Sequence, residues 1–227
     1  MVSSEVAAKL KLWTPQNRAE WPKWFVWTGG WYECNGEQKY YTNWPGLDGV
    51  VFDVGSYEGA WAAAMISRYG YTVHGFEPAS RAYAIAKQKN PNTHNYGLGA
   101  TTRDGILYDV DRDGASFIPN KYRSEPAKIV DFNEACKQIG VDRIALMSLN
   151  IEGGEFELLP HILKSAVAVE RFMIQWHSVV PDYAEKQYTI QSALAETHKM
   201  DWNLGAWEAW SQKIERAADG PAQLGGR

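Results

Sequence analysis

The sequence predicts an α/β fold built on a mostly parallel β-sheet with helices on both faces. Short runs of apolar and β-branched residues, typical of buried parallel strands, alternate with longer helical patterns from Gly49 onward. Glycine or proline follows several of these runs, where a strand would turn towards a helix. Strands and helices that alternate in this way form right-handed βαβ units, so a ligand site is expected beyond the carboxyl ends of the strands.

The first strand, the first helix and the second strand are predicted in direct succession. The run VVFDVG at 50–55 is short and β-branched and ends in glycine, which predicts a buried strand. An Ala-rich segment at 58–69 contains helix formers spaced to face a sheet, and Gly70 is expected to end that helix. The run YTVHGFEP at 71–78 predicts the second strand.

Seven more elements and one additional strand follow the same alternation. Ser80 can cap a helix that extends to Gln88. Asp131 with Glu134 three residues later resembles a capping box, so another helix is expected from there to Gly140. The other predicted elements are a third strand in NTHNYGLG (92–99), an additional strand in GILYDV (105–110), a buried strand in RIALMSLNIEGG (143–154), a helix in EFELLPHIL (155–163), a fifth strand in RFMIQWHS (171–178) and a long amphipathic helix from Asp182 to Lys199.

The composition indicates one folded domain with a distinctive N-terminal segment. The chain has 227 residues, 45% apolar and 22% charged, enough for one substantial core. Residues 1–48 are predicted to form a Trp-rich cap of the domain, residues 49–217 the ligand-binding domain itself, and residues 218–227 a flexible tail. The indoles of the cap are expected to cover the sheet edge or, alternatively, to form an aromatic lid over a substrate.

Charge and cysteine content argue against several classes of function. The formal net charge is −4 and the basic residues are scattered, which gives no electrostatic reason to expect binding to nucleic acid or to an anionic membrane. No run approaches the roughly 18 apolar residues of a membrane span, and the N-terminus lacks a signal-peptide pattern. Cys34 and Cys136 are too few for a disulfide framework, so a cytoplasmic protein is expected.

A glycine-containing loop joins the first predicted strand to the first helix. Its sequence, D-V-G-S-Y-E-G, extends from Asp53 to Gly59 and includes Ser56. Gly55 permits a sharp turn and a close approach to a ligand, and Gly59 permits close helix packing. The N-terminus of the helix offers free N–H groups to a carboxylate. The alternative interpretation is an ordinary tight turn between a strand and a helix.

An acidic residue ends the second predicted strand. Glu77 stands in GFEP, directly before Pro78, and follows the glycine loop at about the spacing, roughly 20 residues, at which dinucleotide folds place an acid that binds both ribose hydroxyls. The loop D-x-G-x-x-x-G nevertheless differs from the G-x-G-x-x-G loop that accommodates a pyrophosphate. The combination favours S-adenosylmethionine, which has no phosphate, over a nicotinamide dinucleotide.

The run from Val51 to His177 resembles the FkbM-type methyltransferases. The shared motifs, in that family's order, are VFDVGSYEG, GFEP, NYGLGATTRDG, DRDGASFIP and LMSLNIEGGEFELLP. The resemblance covers more than half of the chain and implies a Rossmann-like class I methyltransferase fold. It also implies methyl transfer from S-adenosylmethionine to a hydroxyl of a sugar, glycan or related small molecule.

The resemblance assigns roles to residues near the predicted strand ends. Glu152 and Glu155 match acids of the family, whereas Ser148 and Asn150 stand where the family usually has Lys and Asp. Asn150 can still donate and accept hydrogen bonds, but it cannot act as a base. The expected donor-binding residues are Asp53, Gly55, Ser56, Gly59, Glu77, Pro78, Leu98, Gly99 and Asn150, with Leu98 and Gly99 beside the adenine.

Methyl transfer to a hydroxyl needs a group that removes the hydroxyl proton. His177, at the end of the fifth predicted strand, is the first candidate because an imidazole can accept a proton near neutral pH. Glu152 is the second candidate. The alternative for His177 is a structural role, with its ring nitrogens satisfied by hydrogen bonds at the rim of the core.

One segment resembles a calcium-binding loop, but the sequence does not predict a calcium site. Residues 109–114, DVDRDG, match the opening of an EF-hand loop, but position twelve is Asn120 and the preceding segment is predicted as strand. We therefore predict a polar turn and no metal.

Two other functions stay open at the level of sequence. A nicotinamide-dependent reductase could use a similar sheet, although the loop spacing argues against it. A non-catalytic glycan-binding module would account for the Trp-rich segment and for Asn150. The sequence leaves the acceptor and the oligomeric state open.

Overall fold

A computed structural model describes residues 25–28, 31–34, 44–204 and 206–213 of the chain. Most of the predicted cap and all of the predicted tail lie outside these residues. Within the cap, β1 (Phe25–Thr28) and β2 (Trp31–Cys34) pair as antiparallel strands, and Trp44 is buried.

A mostly parallel sheet organises the described residues. Its strands are β3 (Val50–Val54), β4 (Val73–Phe76), β5 (Thr93–His94), β9 (Arg143–Leu149), β10 (Ala168–Val169), β11 (Arg171–Gln175), β12 (His198–Leu204) and β13 (Trp207–Gln212). They lie in the order β12–β13–β11–β9–β3–β4–β5, and β10 also pairs with β9. Among these described strands β13 alone runs in the opposite direction to the others, so the carboxyl ends of β3, β4, β9 and β11 share one edge.

Helices pack on both faces of this sheet, as the sequence predicts. They are α1 (Ala60–Tyr69), α2 (Ser80–Lys89), α3 (Phe132–Ile139), α4 (Glu155–Ile162) and α5 (Tyr183–Thr197). Val51 and Phe52 are successive residues of β3 and therefore point to opposite faces. Val51 packs in a cluster with Met65 of α1, whereas Phe52 packs in a cluster with Leu158 of α4 and Leu194 of α5. Full burial of each such side chain contributes about 1.5–3 kcal/mol.

None of the helices in the described part of the chain is long and apolar enough to cross a membrane.

Two of three predicted helix-end residues, Gly70 and Asp131, are confirmed, and the third, Ser80, is not. Gly70 ends α1 in the left-handed conformation, and its N–H donates to the Ile66 carbonyl. The Asp131 side chain caps α3 by accepting a hydrogen bond from the N–H of Glu134 at 2.9 Å. The predicted cap at Ser80 was wrong by one residue: Ala79 is the N-cap, and the Ser80 N–H donates instead to a carboxylate of another strand.

A second, three-stranded sheet lies beside the first. It consists of β6 (Gly97–Gly99), β7 (Arg103–Tyr108) and β8 (Ser124–Asp131) in the order β6–β8–β7. The segment predicted as one strand at 92–99 is divided, because β5 belongs to the large sheet and β6 to the small one. The additional strand predicted near 105–110 is confirmed as β7, whereas β8 was not predicted.

The hairpin β12–β13 completes the large sheet and was also not predicted. A fully buried acid, Glu208, lies at its centre. The carboxylate of Glu208 accepts hydrogen bonds from the side-chain amides of Gln191 and Asn203 and, at 3.0 Å, from the Trp210 indole. Burial raises the pKa of Glu208, while these hydrogen bonds act in the opposite direction. These donors thus satisfy a carboxyl group that would be costly to bury without hydrogen bonds.

Candidate active site

A cavity of about 760 Å³ opens at the carboxyl edge of the large sheet. Ligand pockets typically enclose about 300–1,000 Å³, so the cavity can hold a ligand of the expected size. All predicted site residues line it except Gly59 and His177. Those in the wall are Asp53, Gly55, Ser56, Glu77, Pro78, Leu98, Gly99, Asn150 and Glu152.

The loop after β3 is fixed between the ends of two neighbouring strands. Gly55 has φ +83°, and a β-carbon at this position would lie 1.9 Å from the carbonyl oxygen of Asn150. The N–H groups of Gly55 and Ser56 both donate to the Phe76 carbonyl, at 3.0 and 3.1 Å. The N–H of Asn150 donates to the carbonyl of Val54 at 2.9 Å. The close approach predicted for Gly55 is therefore an approach to the protein's own backbone.

Gly59 has a packing role, as the sequence predicts, and does not line the cavity. Its φ is +74°, and a β-carbon there would lie 3.0 Å from the Cα of Ala86 in α2. The absence of a side chain at Gly59 lets the start of α1 approach α2.

Asp53 is buried and has an unsatisfied oxygen. Its side chain is 4% exposed, and Oδ2 has no hydrogen-bond partner. On the adjacent strand, Ser148 lies beside it in register. Burial and the charge of Glu77 raise the pKa of Asp53 to about 7, against smaller opposing hydrogen bonds that include one from Ser56. At neutral pH the carboxyl group of Asp53 is therefore readily ionised when a cation or a hydrogen-bond donor of a ligand approaches it.

Glu77 holds the glycine loop against the end of β4. Its Oε2 accepts a hydrogen bond from the Tyr57 N–H at 2.7 Å, and its Oε1 accepts one from the Ala79 N–H at 2.8 Å. Burial is the largest cause that raises the pKa of Glu77 to about 7, and these two hydrogen bonds lower it. Each carboxylate oxygen has a second lone pair, so Glu77 can also accept hydrogen bonds from a ligand in the cavity.

The wall around Leu98 and Gly99 is mainly apolar. Leu98 is buried, and a β-carbon at Gly99 would lie 2.5 Å from Cγ2 of Ile129. At the rim of this wall, the guanidinium of Arg103 makes two hydrogen bonds of 2.7 Å to the carboxylate of Glu157. The hydrogen bond from Arg103 lowers the pKa of Glu157. This part of the cavity suits a flat, largely apolar ring with polar edges.

Neutral polar side chains stand at the ends of β9 and β11. Ser148 is buried in the wall, and the Oδ1 of Asn150 is buried without a partner. Gln175, the last residue of β11, also lines the cavity and pairs in register with Trp207 of β13. Gln175 was missed because the predicted strand extended to Ser178, whereas β11 ends at Gln175. Trp207 could not be found, because its strand was not predicted.

His177 lies behind the cavity wall between two carboxylates. Its Nδ1 is 3.1 Å from Oε1 of Glu155, and its backbone N–H donates to the same oxygen at 2.8 Å. Its Nε2 is 3.1 Å from Oε1 of Glu152, in an ion-pair contact that is poorly aligned for a hydrogen bond. His177 is 8% exposed and Glu155 is fully buried.

The charge of His177 does not suit the role of general base. Burial alone would lower the pKa of His177, but the adjacent carboxylates of Glu152 and Glu155 outweigh it and raise that pKa to about 9. The ring is then an imidazolium at neutral pH, and an imidazolium has no free lone pair to accept a proton. Of the two predicted bases, Glu152 is the one that lines the cavity.

The calcium-like segment forms part of the loop that covers one side of the cavity. Two of its three acids pair with arginines: Asp111 lies 2.8 Å from Arg123, and Asp109 lies 3.6 Å from Arg112. Across the described residues, no group of three or more His, Cys, Asp or Glu side chains could hold a metal ion. Arg112 and Asp113 contribute to the cavity wall and were not predicted as site residues.

Solved structures that match the chain in structural comparison include three methyltransferases. The ribosomal protein L11 methylase of Lactobacillus delbrueckii subsp. bulgaricus is 14% identical, over 79% of this chain and 81% of that chain, with a TM-score of 0.42. A TehB-like SAM-dependent methyltransferase of Corynebacterium glutamicum is 13% identical, over 79% and 91%, with a TM-score of 0.39. A precorrin-6y C5,15-methyltransferase of Geobacter metallireducens is 8% identical, over 83% and 93%, with a TM-score of 0.40.

No protein-family model matches the chain, and no curated protein matches it. The resemblance to the FkbM-type family therefore stays a prediction. The strand order and the reversed direction of β13 define a Rossmann-like α/β fold, and the cavity lies at the carboxyl edge of its parallel strands.

Proposed function

We propose that this protein transfers a methyl group from S-adenosylmethionine to a hydroxyl oxygen of a sugar, glycan or related small molecule. One observation carries the proposal. Asp53 and Glu77 are buried acids that end adjacent strands in a single cavity, and Asp53 has an oxygen without a partner. Buried polar atoms in proteins nearly always have a hydrogen-bond partner. The unpaired oxygen of Asp53 therefore favours a ligand that supplies a hydrogen-bond donor.

The residues of the cavity fit the parts of this methyl donor. Asp53 can bind the ammonium group of its amino-acid end, and Glu77 can accept hydrogen bonds from the ribose hydroxyls. The apolar wall around Leu98 fits the adenine ring. When bound, S-adenosylmethionine supplies a methyl group on a sulfonium, which is activated for attack by a nucleophile.

The wall next to this donor site suits a neutral hydroxyl acceptor. Ser148, Asn150 and Gln175 offer hydrogen bonds without charge, so they can orient hydroxyl groups without selecting an ionic substrate. The carboxylate of Glu152 can accept the proton of an acceptor hydroxyl bound beside it. Orientation is the other requirement, since the protein must align the acceptor oxygen with the methyl group. The resemblance to the FkbM-type family supports oxygen as the acceptor atom.

Calorimetric titration tests the donor site directly. We expect S-adenosylhomocysteine to bind the wild type, and Glu77→Ala to weaken binding at least about tenfold because a charge-assisted hydrogen bond is lost. Glu77 also accepts two backbone hydrogen bonds, so thermal unfolding of this variant is measured in parallel. Asp53→Asn is a nearly isosteric second variant that should weaken binding without loosening the loop. Glu196→Gln, on the exposed face of α5, is the matched control and should bind normally.

Three experimental results would contradict the proposed methyltransferase function or favour another function. Absence of binding to the folded wild type at millimolar ligand would overturn the proposal. A thermal shift with NAD or NADP, and none with the methyl donor, would favour a nicotinamide-dependent reductase. Saturable donor binding without a methylated product from any hydroxylated acceptor would favour a glycan-binding module.

A further inference from the structure

Glu152 is held in place by several independent contacts. Its φ is +51°, in the left-handed region that a non-glycine residue adopts at a cost. Its carbonyl oxygen accepts a hydrogen bond from the hydroxyl of Ser116 at 2.9 Å, and its carboxylate lies 3.1 Å from Nε2 of His177. Strained backbone that persists under such contacts is often found at functional sites.

Glu155 forms hydrogen bonds both to the turn that contains Glu152 and to the backbone of His177. Its Oε2 accepts a hydrogen bond from the Gly153 N–H at 2.9 Å, and its Oε1 accepts one from the backbone N–H of His177. Glu155 is fully buried and does not line the cavity, whereas Glu152 does. The order from interior to cavity is therefore Glu155, His177, Glu152.

We propose that His177 is a positioning residue, which holds the Glu152 carboxylate at the cavity wall as a negative charge for the cationic methyl donor. The proposal rests on the proposed function, because it assigns Glu152 a role towards S-adenosylmethionine. It replaces the role of base that the sequence suggested for His177.

The charged groups around the His177 ring are consistent with its role in holding the Glu152 carboxylate. Glu152, from the turn after β9, and Glu155, from α4, are the charged groups that raise the pKa of His177 to about 9. One imidazolium between two carboxylates leaves one net negative charge. Because Glu155 is buried behind the ring, that charge is presented to the cavity through Glu152.

Comparison of two ligands separates this role from simple packing. S-adenosylmethionine carries a sulfonium cation, whereas S-adenosylhomocysteine has a neutral thioether and otherwise the same groups. We expect Glu152→Gln to weaken binding of S-adenosylmethionine about fivefold relative to S-adenosylhomocysteine. The change removes one partly exposed negative charge, which attracts only the cationic ligand. His177→Gln should shift this ratio in the same direction by about threefold, because the Glu152 carboxylate is no longer held at the cavity wall. Loss of the imidazolium charge without displacement of Glu152 would shift the ratio in the opposite direction.

His161→Gln is the matched control. His161 also contacts a carboxylate, that of Asp131 at 2.9 Å, but it lies outside the cavity wall. This variant should leave the ratio of the two affinities unchanged. A ratio that is unchanged or raised in folded His177→Gln, while Glu152→Gln lowers it, would overturn the positioning role.

Side-chain ¹⁵N NMR of the unliganded full-length protein gives a readout that needs no ligand. The His177 ring should remain an imidazolium up to pH 8 in the wild type and should titrate at lower pH in Glu152→Gln. A neutral His177 ring at pH 7 in the wild type would overturn the proposal. If His177 titrates as expected but neither ligand binds the wild type, the proposed function fails and the donor role of Glu152 fails with it.

Discussion

Gly55 and Asn150 approach each other so closely that a β-carbon on residue 55 would lie 1.9 Å from the carbonyl oxygen of Asn150. That contact joins the loop after β3 to the end of β9, and both segments line the cavity. The absence of a side chain at Gly55 therefore determines how close the two halves of the site can be.

Gly55→Ala should lower the free energy of unfolding by about 3 kcal/mol or more, since backbone atoms would have to move and φ is positive. Urea denaturation measures the change. Gly70→Ala is the matched control, because Gly70 has φ +72° but open space around its missing side chain. We expect the control to cost only about 1–2 kcal/mol, from the left-handed backbone alone. An equal decrease in the free energy of unfolding for Gly55→Ala and Gly70→Ala would show that the contact with Asn150 adds nothing to the effect of the left-handed backbone.

Asp53→Asn should stabilise the protein at pH 7.5 by an amount on the order of 4 kcal/mol. The pKa of Asp53 is raised from 3.8 to about 7, so the folded wild type holds a proton that the unfolded chain loses. The stability of the wild type relative to the variant therefore decreases as pH rises from about 4 to about 7. Urea denaturation at pH 4.5 and pH 7.5 tests this difference. An advantage of Asp53→Asn that is the same at both pH values would show that burial does not shift this pKa.

Donor binding to the wild type should strengthen as pH rises through 7. Asp53 and Glu77 both have a pKa of about 7, and their ionised forms are the better partners for an ammonium and for hydroxyl donors. We expect an increase in the affinity for S-adenosylhomocysteine of up to about tenfold per acid between pH 6 and pH 7.5, by proton linkage. Calorimetry in buffers of different ionisation enthalpy should also detect proton release. An affinity independent of pH would count against these acids as ligand-binding groups.

Glu208→Ala should destabilise the protein by about 3 kcal/mol. The change leaves the amide groups of Gln191 and Asn203 and the indole of Trp210 buried without their acceptor. Thermal unfolding followed by tryptophan fluorescence measures the loss. Glu196→Ala, on the surface of the neighbouring helix α5, should stay within about 0.5 kcal/mol of the wild type. A loss of similar size in both variants would refute the role of this buried network.

The parts of the fold that local chemistry specifies could be predicted from the sequence. β3 and β9 are apolar runs buried on both faces, and Gly70 and Asp131 mark helix ends through local hydrogen bonds. The positions of Asp53 and Glu77 follow from the rule that parallel strands end at one edge. Each of these signals lies within a few residues of the feature that it predicts.

The elements that were missed depend on partners distant in sequence. β8 contains Pro126, which argues against a central strand, yet at that position β8 pairs only with β7 and is locally an edge. The hairpin β12–β13 follows α5 directly, and its buried Glu208 is satisfied by Gln191 of that helix. The charge of His177 depends in the same way on acids more than twenty residues earlier in the chain, which no local pattern reveals.

The contact between Gly59 and Ala86 also restricts how the chain can change over evolution. The two positions hold the two smallest residues, and the gap between α1 and α2 has room for one methyl group. Relatives that keep this helix spacing should therefore vary at the two positions in a correlated way, with a larger residue at one accompanied by glycine at the other.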